Sequence, residues 1–342
     1  MDKLKGKRPT VGDLVKLTGF SQGAISRAFN GRGGISEATR EKILKAAGEI
    51  GYHPNPSARN FKRGYTGRIG IILPNLRNTN YSELYEQLDL VMADSGVASS
   101  LALTHASVER EANTILHWSA GETDALIVNP VPDKKNIDLY RKLKSWRYPL
   151  LFIYDNYANE FDSLGVDYRL SLRQAMMYLR DVGHKKVAYV GTAATAPKSV
   201  GKLAMLYKVL EELGIEFDEE LSVLHVPGKE AGPRAFSKWR VMGRRPSAVV
   251  AFNDQTAASI YSEATSLGLK VPEDLSLLGS DDVDQAEAIG LSTIRIDRTE
   301  MAKTIYDMLQ NRMKDFDSPI RIQQMRSELI LRRSMGPVSG KS

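Results

Sequence analysis

Two sets of side chains in this sequence have the types and spacing for molecular recognition. The first lies in Gln22-Gly23-Ala24-Ile25-Ser26-Arg27-Ala28-Phe29-Asn30, which at helical spacing presents polar groups to one side. An arginine so placed can hold guanine O6 and N7 through two hydrogen bonds, and a glutamine can read adenine. The second set follows apolar runs later in the chain. Asn129 comes after Ala125–Val128, Asp155 at the end of Leu150–Tyr154, and Asn253 and Asp254 after Ala248–Phe252. Arg173 lies on a helical stretch after Val166-Asp167. Open α/β sheets take their ligands beyond the carboxyl ends of the strands. Carboxylates and an arginine in a partly dry cleft there suit paired sugar hydroxyls, and Tyr81 or Tyr168 offers a flat apolar face for a pyranose ring.

Catalysis is not expected. The chain has no cysteine, its five histidines are scattered, and neither a G-x-S-x-G elbow nor a phosphate loop occurs. Asp281-Asp282 has the look of half a metal site, but adjacent carboxylates read more simply as a loop cap plus an exposed charge. No cofactor and no metal are expected.

Three helices are needed to position the first set. Thr10 caps the first, with Asp13 at the capping-box position. Gly19 turns the chain and Ser21 caps the second helix, giving a helix-turn-helix. Ser36 caps a third, Glu37 to Ile50, with Glu37 at its positive end. Leu14, Leu17, Ile25, Phe29, Ile35, Ile43, Leu44, Ala47 and Ile50 are its expected core. Asn55-Pro56 through Gly64 then spells a short helix, Asn as cap, Pro at the first position, Gly at the end. It is too short to stand alone in water, so it calls for a partner, its own copy or DNA.

From Arg68 onward apolar runs alternate with helical patterns such as Tyr81–Asp94 and Leu170–Val182. The runs are Ile69–Leu73, Leu101–Leu103, Ala125–Val128, Leu150–Tyr154, Val187–Val190, Val223–Val226, Ala248–Phe252 and Leu275–Gly279. Strand and helix in alternation predict parallel sheets in an α/β architecture. A faint echo between Gly67–Ile72 and Lys185–Val190 is consistent with two similar halves.

Charge separates the two parts. The net charge is +6, yet residues 1–67 hold 13 Lys and Arg against 5 Asp and Glu, a balance of +8 that leaves −2 for the remaining 275 residues. A basic module on a near-neutral body suits phosphate contacts by the module and another task for the body. At 342 residues two or three domains are expected. No apolar run approaches the ~18–20 residues of a membrane span, and no apolar signal segment follows the basic Met1–Arg8, so a reducing cytoplasm is the expected compartment.

Over nearly its whole length the sequence resembles the lactose/galactose-repressor family of bacterial transcription regulators. Several motifs carry the resemblance, in order. They are Ser21 through Asn30, Gly51-Tyr52-His53-Pro54-Asn55, Val182-Gly183-His184-Lys185-Lys186-Val187-Ala188 and Phe252-Asn253-Asp254-Gln255. Gly268-Leu269-Lys270-Val271-Pro272-Glu273-Asp274-Leu275-Ser276 and Leu291-Ser292-Thr293-Ile294-Arg295 complete the set. The resemblance implies an all-α helix-turn-helix head at 1–54 and a hinge helix and linker at 55–67. It implies an α/β core like periplasmic sugar-binding proteins at 68–336, with a tail at 337–342. That core has two doubly wound parallel-sheet subdomains, one of about 68–166 and 297–324, the other of about 167–296 and 325–336, with three chain crossings and a ligand cleft between.

Residue by residue, the resemblance assigns base readout to Gln22, Gly23 and Arg27, and phosphate contacts to Ser21, Ser26 and Asn30. It puts Phe61, between Ala58 and Lys62, where relatives carry a leucine that wedges into the minor groove. Its effector positions are Tyr81, Asn129, Asp155, Arg173, Asn253, Asp254 and Ser280. There are departures. Gly23 lacks a side chain for a base contact, Ser280 replaces an aromatic, Lys202 replaces an arginine, and a double-proline loop is shortened to Ile289-Gly290. Ser334–Ser342 show no heptad pattern, so a tetramerising C-terminal coiled coil is not expected. The expectation is a homodimeric transcription regulator, a repressor of carbohydrate use, that binds a two-fold operator under the control of a small sugar-like effector. The alternatives are a regulator answering to a non-sugar metabolite and a sugar-binding receptor without a DNA role. The basic head and the missing signal segment argue against the receptor.

Overall fold

The computed structural model describes residues 9–30, 33–53, 65–132, 135–154, 159–192, 201–226 and 228–337. The chain divides into two compact units, Met1–Thr66 and Gly67–Ser342.

In the first unit α1 (Val11–Thr18) starts at a full capping box. Thr10 accepts from the Asp13 amide while the Asp13 carboxylate accepts from the Thr10 amide and hydroxyl. Gly19, at φ 70°, ends it in the left-handed conformation that glycine adopts without steric cost. Ser21 Oγ accepts from the Ala24 amide at the head of α2 (Gln22–Asn30), and Ser36 caps α3 (Glu37–Ile50). Leu14, Ala24, Ile25, Ala28, Ile43 and Ala47 form the core, with Phe29 edge-on to Tyr52 at 5.7 Å. Two residues expected inside, Leu17 and Leu44, are exposed. Ala24 and Ala28 are buried in the core instead, small side chains that a count of large apolar residues passes over.

In the second unit β1 (Arg68–Leu73), β2 (Ala98–Leu103), β3 (Ala125–Val128), β4 (Leu150–Ile153), β5 (Asp162–Asp167) and β12 (Ile322–Arg326) make a parallel sheet in the order β12-β5-β4-β3-β1-β2. Its apolar faces are covered by α4 (Thr79–Asp94) and α12 (Arg298–Lys314) on one side, and by α5 (Val108–Ser119) and α6 (Ile137–Ser145) on the other. Gly70 sits where a Cβ would lie 2.5 Å from both Leu126 and Trp118, so the missing side chain lets α5 close on the sheet.

The second parallel sheet runs β10-β9-β6-β7 with β8 beside β6. Its strands are β6 (Lys186–Gly191), β7 (Glu216–Phe217), β8 (Val223–Leu224), β9 (Ala248–Ala251) and β10 (Ser276–Leu278). Helices α7 (Arg169–Asp181) and α8 (Gly201–Leu213) cover one face; α9 (Ala231–Val241), α10 (Asp254–Ser266) and α11 (Asp284–Ala288) cover the other. A short antiparallel pair, β11 (Thr293–Arg295) with β13 (Glu328–Ile330), lies where the chain passes between the sheets after β11 and before β13; a third passage follows β5.

The apolar runs foretold β1, β3, β4, β6, β9 and β10 closely. They did not reveal β5. Its sequence, Asp-Ser-Leu-Gly-Val-Asp, opens with a buried carboxylate. Arg312 compensates that charge through Nε to Asp162 Oδ2 at 2.7 Å and Nη2 to Oδ1 at 2.8 Å, a partner 150 residues away that local pattern cannot supply.

Candidate functional site

The outward face of α2 is built by what its inward face must bury. Ala24, Ile25 and Ala28 point into the head, so Ser21, Gln22, Gly23, Ser26 and Arg27 share the exposed side. A Cβ on Gly23 would lie 4.0 Å from Arg27 Nη1, and one on Gly34 3.6 Å from Arg27 Cδ. The Arg27 side chain therefore runs beside two glycines, and a Cβ at either would make only ordinary van der Waals contact with it. The Asn30 side chain, and Ala58, Phe61 and Lys62 entirely, lie outside the described residues, as does Asp155.

The polar cluster of the core unit forms where the carboxyl ends of both sheets meet. From the first sheet come Tyr81 in the first turn of α4, Asn129 after β3 and Tyr154 after β4. The Asn129 side chain lies close enough to the Tyr81 hydroxyl to favour its ionised form. Asn80 Nδ2 donates to Tyr154 Oη at 3.0 Å, and the Tyr81 and Tyr154 rings meet edge-on at 6.0 Å. From the second sheet come Lys202 at the start of α8, Phe252 and Asp254 after β9, and Ser280 and Asp281 after β10. Lys202 Nζ donates to the Phe252 carbonyl and lies 5.0 Å from the centre of the Tyr168 ring and 5.2 Å from that of Phe252. Tyr168 sits at the passage after β5, so both sheets and one crossing contribute to one cluster.

Burial dominates the electrostatics. Desolvation pushes the Asp281 carboxyl up to about 7 against the opposing pull of Lys202, and pushes Lys202 down against Asp281 and Asp254. It raises Tyr81 to about 12 and lifts Tyr154 and Tyr168 further, the latter with help from the Asp281 charge. Ser280 Oγ and Asn80 Oδ1 are buried with no hydrogen-bond partner. A buried acid and a half-buried base beside unsatisfied oxygens and tyrosine rings can accept and donate hydrogen bonds to a polar ligand and cover it with an apolar face. Among the described residues no group of three His, Cys, Asp or Glu is placed to hold a metal ion.

Several expected effector residues sit differently. Arg173 is exposed on α7, where Nη1 reaches Met177 Sδ at 3.3 Å; Leu172, Ala175 and Met176 take the inward face and turn it to solvent. Asn253 caps α10, its Oδ1 accepting from the Thr256 amide and hydroxyl at 2.9 and 2.7 Å. Asp254 spends both oxygens on the fold, Oδ1 on Thr293 Oγ1 at 2.6 Å and Oδ2 on the Val283 amide at 3.1 Å. Asp281 and Asp282, read from sequence as a cap and an exposed charge, are both enclosed, Asp282 receiving Arg332 Nη1 at 2.7 Å. The sequence reading missed Lys202 and Asp281 as site residues. The signals were present, a lysine where an arginine was expected and a carboxylate just past a strand end, but their burial was not legible.

Residues 10–55 match the family model for bacterial regulatory proteins of the lacI family, and residues 176–335 that for a periplasmic binding protein-like domain. The chain is 27% identical over 302 residues to an uncharacterized HTH-type transcriptional regulator, YkvZ of Bacillus subtilis (strain 168), covering 88% of this chain and 92% of the relative. It is 27% identical over 331 residues to the HTH-type transcriptional repressor CytR of Escherichia coli (strain K12), covering 95% and 96%. The fold matches a crystal structure of the Lac repressor dimer bound to operator and the anti-inducer ONPF, with TM-score 0.83 and 23% identity over 96% of this chain and 99% of that one. It also matches the transcriptional regulator CelR–cellobiose complex, with TM-score 0.67 and 20% identity over 96% and 100%. No helix among the described residues is long and apolar enough to cross a membrane. The chain thus carries the head of the lacI family of bacterial regulatory proteins and, in order after it, a periplasmic binding protein-like domain, and its whole-length relatives include transcription repressors.

Proposed function

We propose that this regulator is a homodimeric repressor that binds a two-fold operator in the cytoplasm and changes its DNA affinity when a sugar or sugar derivative enters the cleft around Lys202 and Asp281. The observation that carries the reading is the Lys202–Asp281 neighbourhood between Tyr81, Tyr154, Tyr168 and Phe252, with Ser280 Oγ and Asn80 Oδ1 left unsatisfied. Ring hydroxyls donate to Asp281 and Asn80 Oδ1 and accept from Lys202, while the apolar ring face lies on an aromatic wall. The cellobiose named in the complex with CelR supports the carbohydrate class. Asn129 serves the ligand through Tyr81, and Asp155 is a further ligand contact.

On the DNA side, Gln22 and Arg27 read base edges in the major groove, Ser21, Ser26 and Asn30 hold phosphates, and Phe61, with Ala58 and Lys62, enters the minor groove. The test is a thermal-shift series on the full chain with cellobiose, lactose, common aldoses and their phosphates. A binding sugar at 100 times its Kd adds about 2.7 kcal/mol of stability. The expected result is a shift with one carbohydrate that changes operator affinity in a gel-shift assay. No shift with any carbohydrate, and a shift with a nucleoside or amino acid, would move the effector to another class.

A further inference from the structure

Arg298 is placed to do something the cleft alone does not explain. It begins α12, which packs against α4 on the first sheet, Thr299 Oγ1 meeting Gln87 Oε1 at 3.0 Å. Its side chain is only 11% exposed and its guanidinium has three kinds of partner. Nη1 donates to the Asp281 carbonyl, Nη2 donates to the Asp282 carbonyl at 3.1 Å, and Nη2 is ion-paired with Glu83 on α4. The two carbonyls belong to the loop after β10 of the second sheet, so one planar fork joins the two halves of the core unit.

The loop it grips is strained. Asp281 has φ 115° and Asp282 φ 53°, both in a region that residues with a Cβ seldom adopt. Strain of this kind persists where surrounding contacts over-determine it, and here the contacts are identifiable. The Asp281 amide donates to the Ile294 carbonyl at 2.9 Å on the way into the second crossing. The Asp282 carboxylate takes Arg332 Nη1 at 2.7 Å, and Arg295 Nη1 lies 3.9 Å from it. Arg295 in turn holds Glu328 at 2.7 Å across β11–β13. Asp281 thus turns its carboxylate to the cleft while Asp282 turns its own to the crossing strands, and Arg298 holds both backbones from the far side.

We propose that Arg298 is a positioning residue that transmits the state of the Asp281 carboxylate to Glu83 and α4, making the Asp281-Asp282 turn the junction between the ligand cleft and the first half of the core unit. The inference rests on the cleft being the effector site for its biological meaning, but its physical content concerns three residues and needs no ligand. Lysine is no substitute, because a single ammonium cannot hold two carbonyls and a carboxylate in the geometry of a fork.

Hydrogen–deuterium exchange on the full chain tests it, with D281N as the perturbation of the cleft. In the Arg298 background D281N changes exchange both locally, at 279–284, and remotely, at 83–90 on α4. In R298K and R298Q the local change persists and the remote change is lost. E83Q cuts the link at its other end and gives the same loss. A merely structural role for Arg298 would raise exchange by itself without altering the size of the D281N effect at 83–90, so the cycle separates the two. A remote effect of equal size in all backgrounds overturns the proposal, as does a D281N effect that never reaches α4 in the parent chain. If R298Q does not fold, R298K and E83Q carry the test. Because no sugar enters the experiment, its outcome and that of the carbohydrate thermal-shift series stand or fall separately.

Discussion

Two acid–base neighbourhoods lie in the core unit, and they are finished to different degrees. Around Arg312 and Asp162 everything is used. The guanidinium holds the carboxylate through Nε and Nη2, and its remaining donors reach the carbonyls of Phe316, Ser318 and Pro319 at 2.6 to 3.1 Å. Asp162 also accepts from the Arg321 amide at 2.9 Å. Around Lys202 and Asp281 the bonding is incomplete. Lys202 has one carbonyl, Asp281 is driven toward its neutral form, and two oxygens nearby have no partner. A buried pair with every donor and acceptor matched fixes a fold. A pair left short holds the same kinds of group ready for a molecule that is not part of the chain, at a cost in stability that ligand binding recovers.

The largest expected effect sharpens that contrast. Arg312→Leu leaves the Asp162 carboxylate buried without its partner and should cost about 3–5 kcal/mol of core stability. Lys202→Met and Asp281→Asn remove groups that the fold has not satisfied, so each should leave stability nearly unchanged or raise it. Urea denaturation of the three variants checks the order, and a Lys202→Met loss as large as that of Arg312→Leu would break the comparison. The linkage of Asp281 has a definite sign. Its folded pKa, about 7, lies above the ordinary carboxylate value of 3.8, so between those values the folded state binds more protons and stability falls as pH rises. That slope should flatten in Asp281→Asn. A sugar that needs the carboxylate should bind more tightly as pH rises through the same range.

The second effect concerns the sugar itself. Asp281→Asn and Lys202→Met should each abolish the thermal shift that the cognate carbohydrate gives the parent chain, a loss of about 2.7 kcal/mol at 100 times Kd. Arg173→Ala should leave that shift intact, since Arg173 faces solvent on α7. A shift lost in Arg173→Ala and kept in Asp281→Asn would return the site to the position first read from sequence.

A third effect belongs to the head. Arg27→Ala should cost about 1–3 kcal/mol on operator DNA and relax the preference at one base pair. Gly23→Ala brings a methyl group only to van der Waals contact with Arg27 Nη1, 4.0 Å away, and should leave the preference at that base pair unchanged. Equal losses on operator and random duplex would make Arg27 a phosphate contact instead.

The parts that sequence made legible are those fixed by near neighbours. Capping at Thr10, Ser21 and Ser36 depends on residues three positions on, and apolar runs identify strands that are buried on both faces. What stayed hidden depends on distant partners. β5 is polar at its start because Arg312 neutralises it, and Ala24 and Ala28, not Leu17, complete the core of the head. Strand ends led to Asn129, Asp155, Asn253 and Asp254, but not to which of them had oxygens to spare. Two of the four, Asn253 and Asp254, use theirs to hold α10 and the loop before α11. Arg173 was placed in the cleft by the resemblance, whereas the local pattern already turned it outward. Leu172, Ala175, Met176 and Leu179 recur at three- and four-residue spacing and form the buried face of α7.

The smallest expected effect lies in a third buried polar group, finished like Arg312 but titratable near neutrality. His184 follows the turn after α7, and its ring bridges Ser247 Oγ at 2.9 Å through Nδ1 and the Gly336 carbonyl at 3.0 Å through Nε2. A carbonyl only accepts, so Nε2 carries the proton and Nδ1 accepts from the serine in the neutral ring. The Ser276 hydroxyl donates to the same Gly336 carbonyl at 3.0 Å, so this network fastens the segment after β13 to the second sheet. Burial lowers the His184 pKa from the ordinary imidazole value of 6.5, against the opposing effect of the Gly336 carbonyl. The folded state therefore binds fewer protons than the unfolded one just below that value. The stability that the neutral ring contributes is present above about pH 6.5 and is lost as pH falls through the folded pKa. Exchange of the amides at 334–336 should rise as pH is lowered through this range, after correction for intrinsic rates. In His184→Gln, which keeps a donor and an acceptor but cannot be protonated, it should not. A pH response at 334–336 that survives in His184→Gln would assign it to another group and leave His184 a passive bridge.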